Sequence, residues 1–408
     1  LGSLIVHSGL EIYGGFAGTE AELSERDPDS NITIIDGSHS RQGNYAYHVV
    51  SGENLNDVVL DGFVITGGSG GENAPDDRGA GIYLKNAGES VHLERLTLTI
   101  NSANMGGGVY MEASSPQMKN NRFILNSSLD GAGIYLDASS PLLENTLFMG
   151  NLAVYFDQDH GQGGALYSTS DSFPLLMNAT IAGNWSREAA LSVSGNNTSP
   201  LLVNSILWDN IPQDAAGNVF AEYTLSEDGI GLNTGTCIRS NPLFHSSEFS
   251  TFTQDASYDS GGNQTTFHDS TQSFTSGALV GSVVQVHPPE AFPFNTMMYF
   301  PVVANTSTSF TVCGNVAMFG DEGAVYRFLD GSVEAGSRAI DTGTSQDAPA
   351  HDYKGEDRGY DGDGLGAGST GDGSDYDMGY VEYRGGTSPG VVNIIDSNLE
   401  DAVLDALP

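Results

Sequence analysis

Between residues 79 and 210 the apolar residues come in runs of three to six, each bounded by Gly, Asn, Asp or Ser. Helices need roughly ten residues or more, so runs this short predict strands. One run recurs in register: Gly79-Ala-Gly-Ile-Tyr83, Gly106-Gly-Gly-Val-Tyr110, Gly131-Ala-Gly-Ile-Tyr135 and Gly163-Gly-Ala-Leu-Tyr167, with a degenerate copy at Ala189-Ala-Leu-Ser-Val193. Its tyrosines stand 27, 25 and 32 residues apart. In Ile134-Tyr135-Leu136 the alternation of side chains puts Ile and Leu on the inner face and Tyr on the outer one.

A second run repeats behind the first: Pro116-Gln-Met-Lys-Asn120, Pro141-Leu-Leu-Glu-Asn145, Pro174-Leu-Leu-Met-Asn178 and Pro200-Leu-Leu-Val-Asn204. Each is followed six residues later by another asparagine: Asn126, Asn151, Asn184 and Asn210. A period in the twenties built from short strands is the mark of a solenoid. Three strands per turn predict an all-β chain coiled as a parallel β-helix, its coils about 4.8 Å apart. Asn120, Asn145, Asn178 and Asn204 then stack at one bend and bond through their side-chain amides. Asp61 and Arg95 occupy the same position in earlier coils, which points to an Asp–Arg pair interrupting the ladder.

These motifs resemble the secreted right-handed parallel β-helix proteins of the pectin-lyase-like superfamily, in particular a bacterial group with GGGIY and SPxIxN coils. The opening Leu10-Glu-Ile-Tyr-Gly-Gly-Phe-Ala-Gly18 and the turn Asn241-Pro-Leu-Phe244 are similar to the same group. So are Ser337-Arg-Ala-Ile-Asp341 and the end segment with Asp352, Gly355, Arg358 and Asp377-Met-Gly-Tyr-Val-Glu382. The resemblance covers residues 1–245 and returns at 329–385. It implies a right-handed β-helix at the cell surface or outside the cell. It names no activity, because this scaffold carries lyases, hydrolases, adhesins and structural parts alike.

The period breaks where candidate chemistry gathers. Insertions at residues 69–78 and 152–162 enter at one phase of the coil, so both leave the same edge, three coils or about 14 Å apart. Asp76 and Asp77 sit on the first, with Asp157, Asp159 and His160 on the second. They read as solvated acidic loops, as a cation or sugar site, or as an acid–base couple. Tyr83, Tyr110, Tyr135 and Tyr167 form a column between them, which either covers the sheet or binds sugar.

Residues 246–327 lack the repeat and alternate like antiparallel strands, as in Leu279-Val-Gly-Ser-Val-Val-Gln-Val286, so they read as an inserted β-subdomain. Residues 328–386 form an acidic, glycine-rich closing segment. There Asp361, Asp363, Asp372, Asp375 and Asp377 offer hard oxygen ligands on flexible loops, which suits calcium. Residues 387–408 change character: Ser397 and Glu400 make a capping box before Leu399, Val403 and Leu407, resembling the entry helix of bacterial leucine-rich-repeat domains.

Charge then narrows the function classes. The 408 residues hold 14 Lys+Arg against 52 Asp+Glu, a formal net charge of −38. Such a surface repels nucleic acid and anionic membranes, and no apolar run is long enough to span a bilayer. Cys237 and Cys313 are too few for a disulfide framework, and the sequence leaves their pairing open. With three lysines (Lys85, Lys119, Lys354) and no arginine cluster legible on one face, the cationic machinery of β-helix lyases is not evident. Three readings stand: a calcium-stabilised structural or adhesive segment, able to self-associate through an open coil end; a polysaccharide-binding module; or a polysaccharide-degrading enzyme.

Overall fold

The computed structural model describes residues 2–153, 160–169, 171–195, 197–231, 234–287, 297–361 and 371–384. They divide into two units, one of residues up to 243 together with 331–384, the other of residues 244–330. The expected entry helix at 387–408 lies outside the described residues.

The first unit is a parallel β-helix. Three sheets of eight strands run along it. Sheet A passes from Leu4–Ile5 through Ile82–Lys85, Val109–Glu112 and Ile134–Asp137 to Ala215–Ala216. Sheet B runs from Glu11–Tyr13 to Phe220–Glu222, and sheet C from Ile34–Asp36 to Leu225–Ser226. Neighbouring coils pair in the register that the repeat requires, Tyr83 beside Tyr110 beside Tyr135 beside Tyr167. A fourth sheet, D, was not legible in the sequence. It comprises Ser102–Met105, Ser127–Asp130, Leu152–Ala153 and Trp185–Ser186, between sheets C and A. Its strands are two to four residues long and vary from Ser-Ala-Asn-Met to Leu-Ala, so no repeated alternation announces them.

The inward residues fill one continuous core. Ile82, Leu84, Val109, Met111, Ile134 and Leu136 of sheet A are all 2% exposed or less. Phe123 and Phe148 stack within it at 4.7 Å. Glycine with left-handed backbone stands where four coils enter sheet A, at Gly79, Gly106, Gly131 and Gly163. Gly106 sits at φ +65°, and a Cβ there would lie 2.4 Å from the Val109 carbonyl oxygen.

The asparagine ladder differs from the expected one. Its continuous form is the second set of asparagines, at the corner between sheets C and D: Asn101, Asn126, Asn151, Asn184 and Asn210. Each of the first four donates Nδ2 to the next Oδ1, at 2.9–3.1 Å. The expected set, at the corner between B and C, takes left-handed backbone from Asn120 to Asn204 with φ of 49–57°, which asparagine tolerates. Asn145 donates to Asn120 at 2.9 Å and Asn204 to Asn178 at 3.5 Å, but no bond joins Asn145 to Asn178. The closing segment takes over there. Asn145 also donates to the His351 carbonyl, Asn178 to those of Asp377 and Gly379, and Asn204 to that of Thr344. The sites that looked like a free ladder are the docking points of Thr344, His351, Asp377 and Gly379.

The second unit is an antiparallel sheet. Its order is Phe244–Ser246, Val325–Val333, Val283–Val286, Met298–Asn305, Ser309–Cys313, Gln264–His268 and Gln254–Asp259, with Ser250–Thr251 paired to the second of these. Phe252, Phe267, Phe300, Phe310 and Tyr326 pack its interior. Cys237 and Cys313 are both buried thiols, one in each unit, and form no disulfide.

Candidate functional site on the tyrosine face

The outer face of sheet A carries two parallel columns. One is Tyr83, Tyr110, Tyr135 and Tyr167; the other, two residues on, is Glu53, Lys85, Glu112 and Asp137. Tyr83 and Tyr110 lie 5.8 Å apart and 2° from parallel, and Tyr110 and Tyr135 follow at 5.2 Å. Tyr135 meets Tyr167 edge-on at 5.1 Å. Tyr83, Tyr110 and Tyr167 are buried, at 4%, 1% and 7% exposure, whereas Tyr135 is partly open. The stacked rings therefore turn their faces to one another. What the column offers a ligand is edges and hydroxyls.

Those hydroxyls are held from both sides. Arg78, from the first inserted loop, donates to the Tyr110 hydroxyl at 3.0 Å, and that hydroxyl donates to Asp137 at 3.2 Å. Lys85 bridges to Glu112 at 2.5 Å. Burial pushes the phenols of Tyr110 and Tyr135 above their ordinary range, so both stay protonated at neutral pH. They are hydrogen-bonding groups there, not bases.

The second loop returns onto Asp130. One carboxylate oxygen accepts the Gly161 and Gln162 amides at 3.0 Å, and the other lies 2.8 Å from His160 Nδ1. Asp130 and Asp137 are the residues that sequence reasoning missed. A signal for Asp130 existed. The position before each Gly-rich entry reads Arg78, Met105, Asp130, Gln162, and these four pair coil to coil.

The other predicted residues fall as follows. Asp77 gives its carbonyl to the Asn104 and Met105 amides, and Asp76 gives its own to Gly71. Both belong to the coil of Arg78, two to three coils from the Asp130–His160 pair, or about 10–14 Å. The acid–base couple drawn between the two loops stays an expectation, since it turns on Asp157 and Asp159. Asp157 and Asp159 lie outside the described residues.

The arginine reading also changes. Arg26 and Arg95 converge on the buried carboxylate of Asp61, Arg95 Nε at 2.8 Å from Oδ1. The expected Asp–Arg pair is thus a triad. Its two arginines line an open groove of 580 Å³ together with Glu22, Leu23, Ser24 and Pro28. Arg26 comes from the opening loop, 35 residues before Asp61, so no local spacing could reveal it.

Of the expected calcium ligands, Asp377 is fully buried and accepts the Asp341 and Tyr383 amides. Asp372 accepts the Thr344 hydroxyl and the Ser345 and Ser374 amides. Asp361 is exposed, Asp375 is partly exposed, and Asp363 lies outside the described residues. Among the described residues no three His, Cys, Asp or Glu side chains converge as a metal site.

Comparison with known proteins adds little. No family model matches the chain, and no curated protein matches it. Among solved structures it is similar to the tailspike protein gp49 of Acinetobacter baumannii bacteriophage Fri1, described as a capsular polysaccharide depolymerase. The two are 10% identical over 82% of this chain and 69% of that one, with a TM-score of 0.18. A likeness of that size carries no argument, and the fold rests on the strand pairing itself. No described helix is long and apolar enough to cross a membrane.

Proposed function

We propose that this chain is a rigid β-helical segment of a cell-surface or secreted protein, with a structural or adhesive role. The observation that carries the reading is the closing segment. It ties three successive coils together from outside through Asn145, Asn178 and Asn204, while the buried ladder ties five coils from within. Stacked rings and paired charges cover sheet A in the same sense. A net charge of −38 supports an exterior setting, where salt screens self-repulsion. Calcium belongs to this proposal through Asp361, which is exposed, and Asp375, which is partly exposed; Asp372 is exposed as well but is engaged by Thr344 and Ser345.

The test is thermal unfolding of the full chain in CaCl₂ against EDTA, with light scattering followed in parallel and polysaccharide retention measured separately. Saturable retention on a polysaccharide, lost in Tyr135→Ala, would displace this reading. It would favour the second one, a polysaccharide-binding module, which the partly open Tyr135 between Asp130 and Asp137 supports. A calcium-dependent midpoint that survives Asp361→Asn with Asp375→Asn would remove those two residues from the account.

A further inference from the structure

The closing segment buries three carboxylates around one cation. Asp352, Asp377 and Glu382 are each 2% exposed or less, and the Arg358 side chain among them is fully buried. Arg358 donates to Glu382 at 3.1 Å, to the Asn145 side chain at 2.9 Å and to the Gly379 carbonyl at 3.0 Å. Glu382 also accepts the Gly359 and Tyr360 amides, and Asp352 accepts those of Glu356 and Glu382. This segment has almost no regular strand, so carboxylates satisfy the backbone donors that a sheet would otherwise pair.

Three acids and one guanidinium leave two negative charges sealed from water if every acid ionises. Burial without matching countercharge favours the neutral acid. Asp377 is held well above the usual carboxylate range, first by burial and then by the charge of Glu382. Burial raises Glu382 as well, with Arg358 opposing it. Against the carboxylates the β-helix sets neutral groups: the amides of Asn145, Asn178 and Asn204, and the Thr180 hydroxyl, which accepts the Tyr380 amide. It brings charges to Tyr353, next in the chain to Asp352: Arg122 lies over the ring and Asp29 accepts the hydroxyl, and burial pushes the phenol up to about 12. The remaining ionisable pairs, His351–Asp357 and Arg384–Glu356, lie toward solvent.

We propose that this cluster is a proton-operated clasp, which holds residues 341–361 and 371–383 against the β-helix while it retains a proton and loosens them as it ionises. A carboxyl whose folded pKa is raised contributes stability that is full below its unfolded value, about 4, and is lost as pH rises through the folded value. The clasp is therefore tightest in mild acid. This is the reverse of an ordinary salt-bridged carboxylate, which weakens in acid.

Hydrogen exchange on the full chain, from about pH 5 to about pH 9 and corrected for intrinsic rates, tests this. Protection in peptides from 337–361 and 371–384 should fall on the order of tenfold across the range, the factor carried by one pKa unit. Peptides holding Asn126 and Asn151 should not change. Glu382→Gln keeps an acceptor for the Gly359 and Tyr360 amides and removes the charge, so it should flatten the profile. His351→Gln should leave the profile intact. Protection that is flat or rises with pH in the unmodified chain overturns the proposal, and that measurement stands even where a variant fails to fold. A profile that persists unchanged in folded Glu382→Gln and Asp377→Asn also overturns it.

Discussion

Replacing Asn151 with alanine should unlock the inner ladder. Its side chain makes four bonds, accepting the Asn126 backbone amide at 3.0 Å and Asn126 Nδ2 at 3.1 Å, and donating to the Phe123 carbonyl at 2.8 Å and Asn184 Oδ1 at 2.9 Å. All three asparagines are 0% exposed, so water cannot replace what is removed. The stranded Asn126 amide costs about 1–3 kcal/mol, and the three other bonds about 1 kcal/mol each, for a total near 4–6 kcal/mol. Asn120→Ala is the internal comparison. It removes one acceptor from Asn145, whose Nδ2 keeps the His351 carbonyl, for about 0.5–1.5 kcal/mol, and puts alanine on left-handed backbone for about 1–2 kcal/mol more, still below the Asn151 cost. Urea denaturation of both variants, with hydrogen exchange to locate the loss, measures the difference. Because coils couple mainly to their neighbours, exchange should quicken first around residues 122–153 and 180–186. An Asn151→Ala cost below about 1 kcal/mol, or one equal to that of Asn120→Ala, would refute the assignment of the buried ladder as the stabilising one.

Three further outcomes follow from the same geometry. Gly106→Ala should destabilise by at least about 1–3 kcal/mol, since the residue is left-handed and the added Cβ meets backbone at 2.4 Å; the denaturation midpoint reads it. Arg358→Met leaves Glu382 buried without its cation and should cost about 3–5 kcal/mol, seen as early proteolysis within 337–384. In the antiparallel unit, burial and then the charge of Arg327 lower His287 from 6.5 to about 4. The folded form then binds fewer protons between those values, so that unit should lose stability as pH falls from about 6.5 toward 4, and His287→Phe should flatten the loss.

The repeat announced the parallel β-helix because every coil must solve the same problem. A strand facing a narrow core needs aliphatics at alternate positions, and a corner needs glycine or asparagine, so the solution recurs in the letters. The inward Ile82, Val109 and Ile134, the tyrosine column in register and the two loops on one edge were all legible for that reason. The Asp61–Arg95 contact was foreseen too, but the register differs from the expected one: Asp61 pairs with Glu94, one position before Arg95, and the contact forms diagonally.

What tertiary structure alone decided are contacts between segments that share no period. Whether Asn120 or Asn126 heads the continuous ladder depends on what lies outside the corner, and there the closing segment, some 200 residues later, competes for Asn145 and Asn178. The aspartates that composition marked for calcium are partly spent on that segment's own amides, because a buried chain without sheet partners must find acceptors nearby. Arg26 reaching Asp61, and Asp130 receiving the second loop, are likewise set by chain path. Periodic positions reveal themselves in sequence because the same force acts on each copy. A single long-range contact acts once, and leaves no pattern to read.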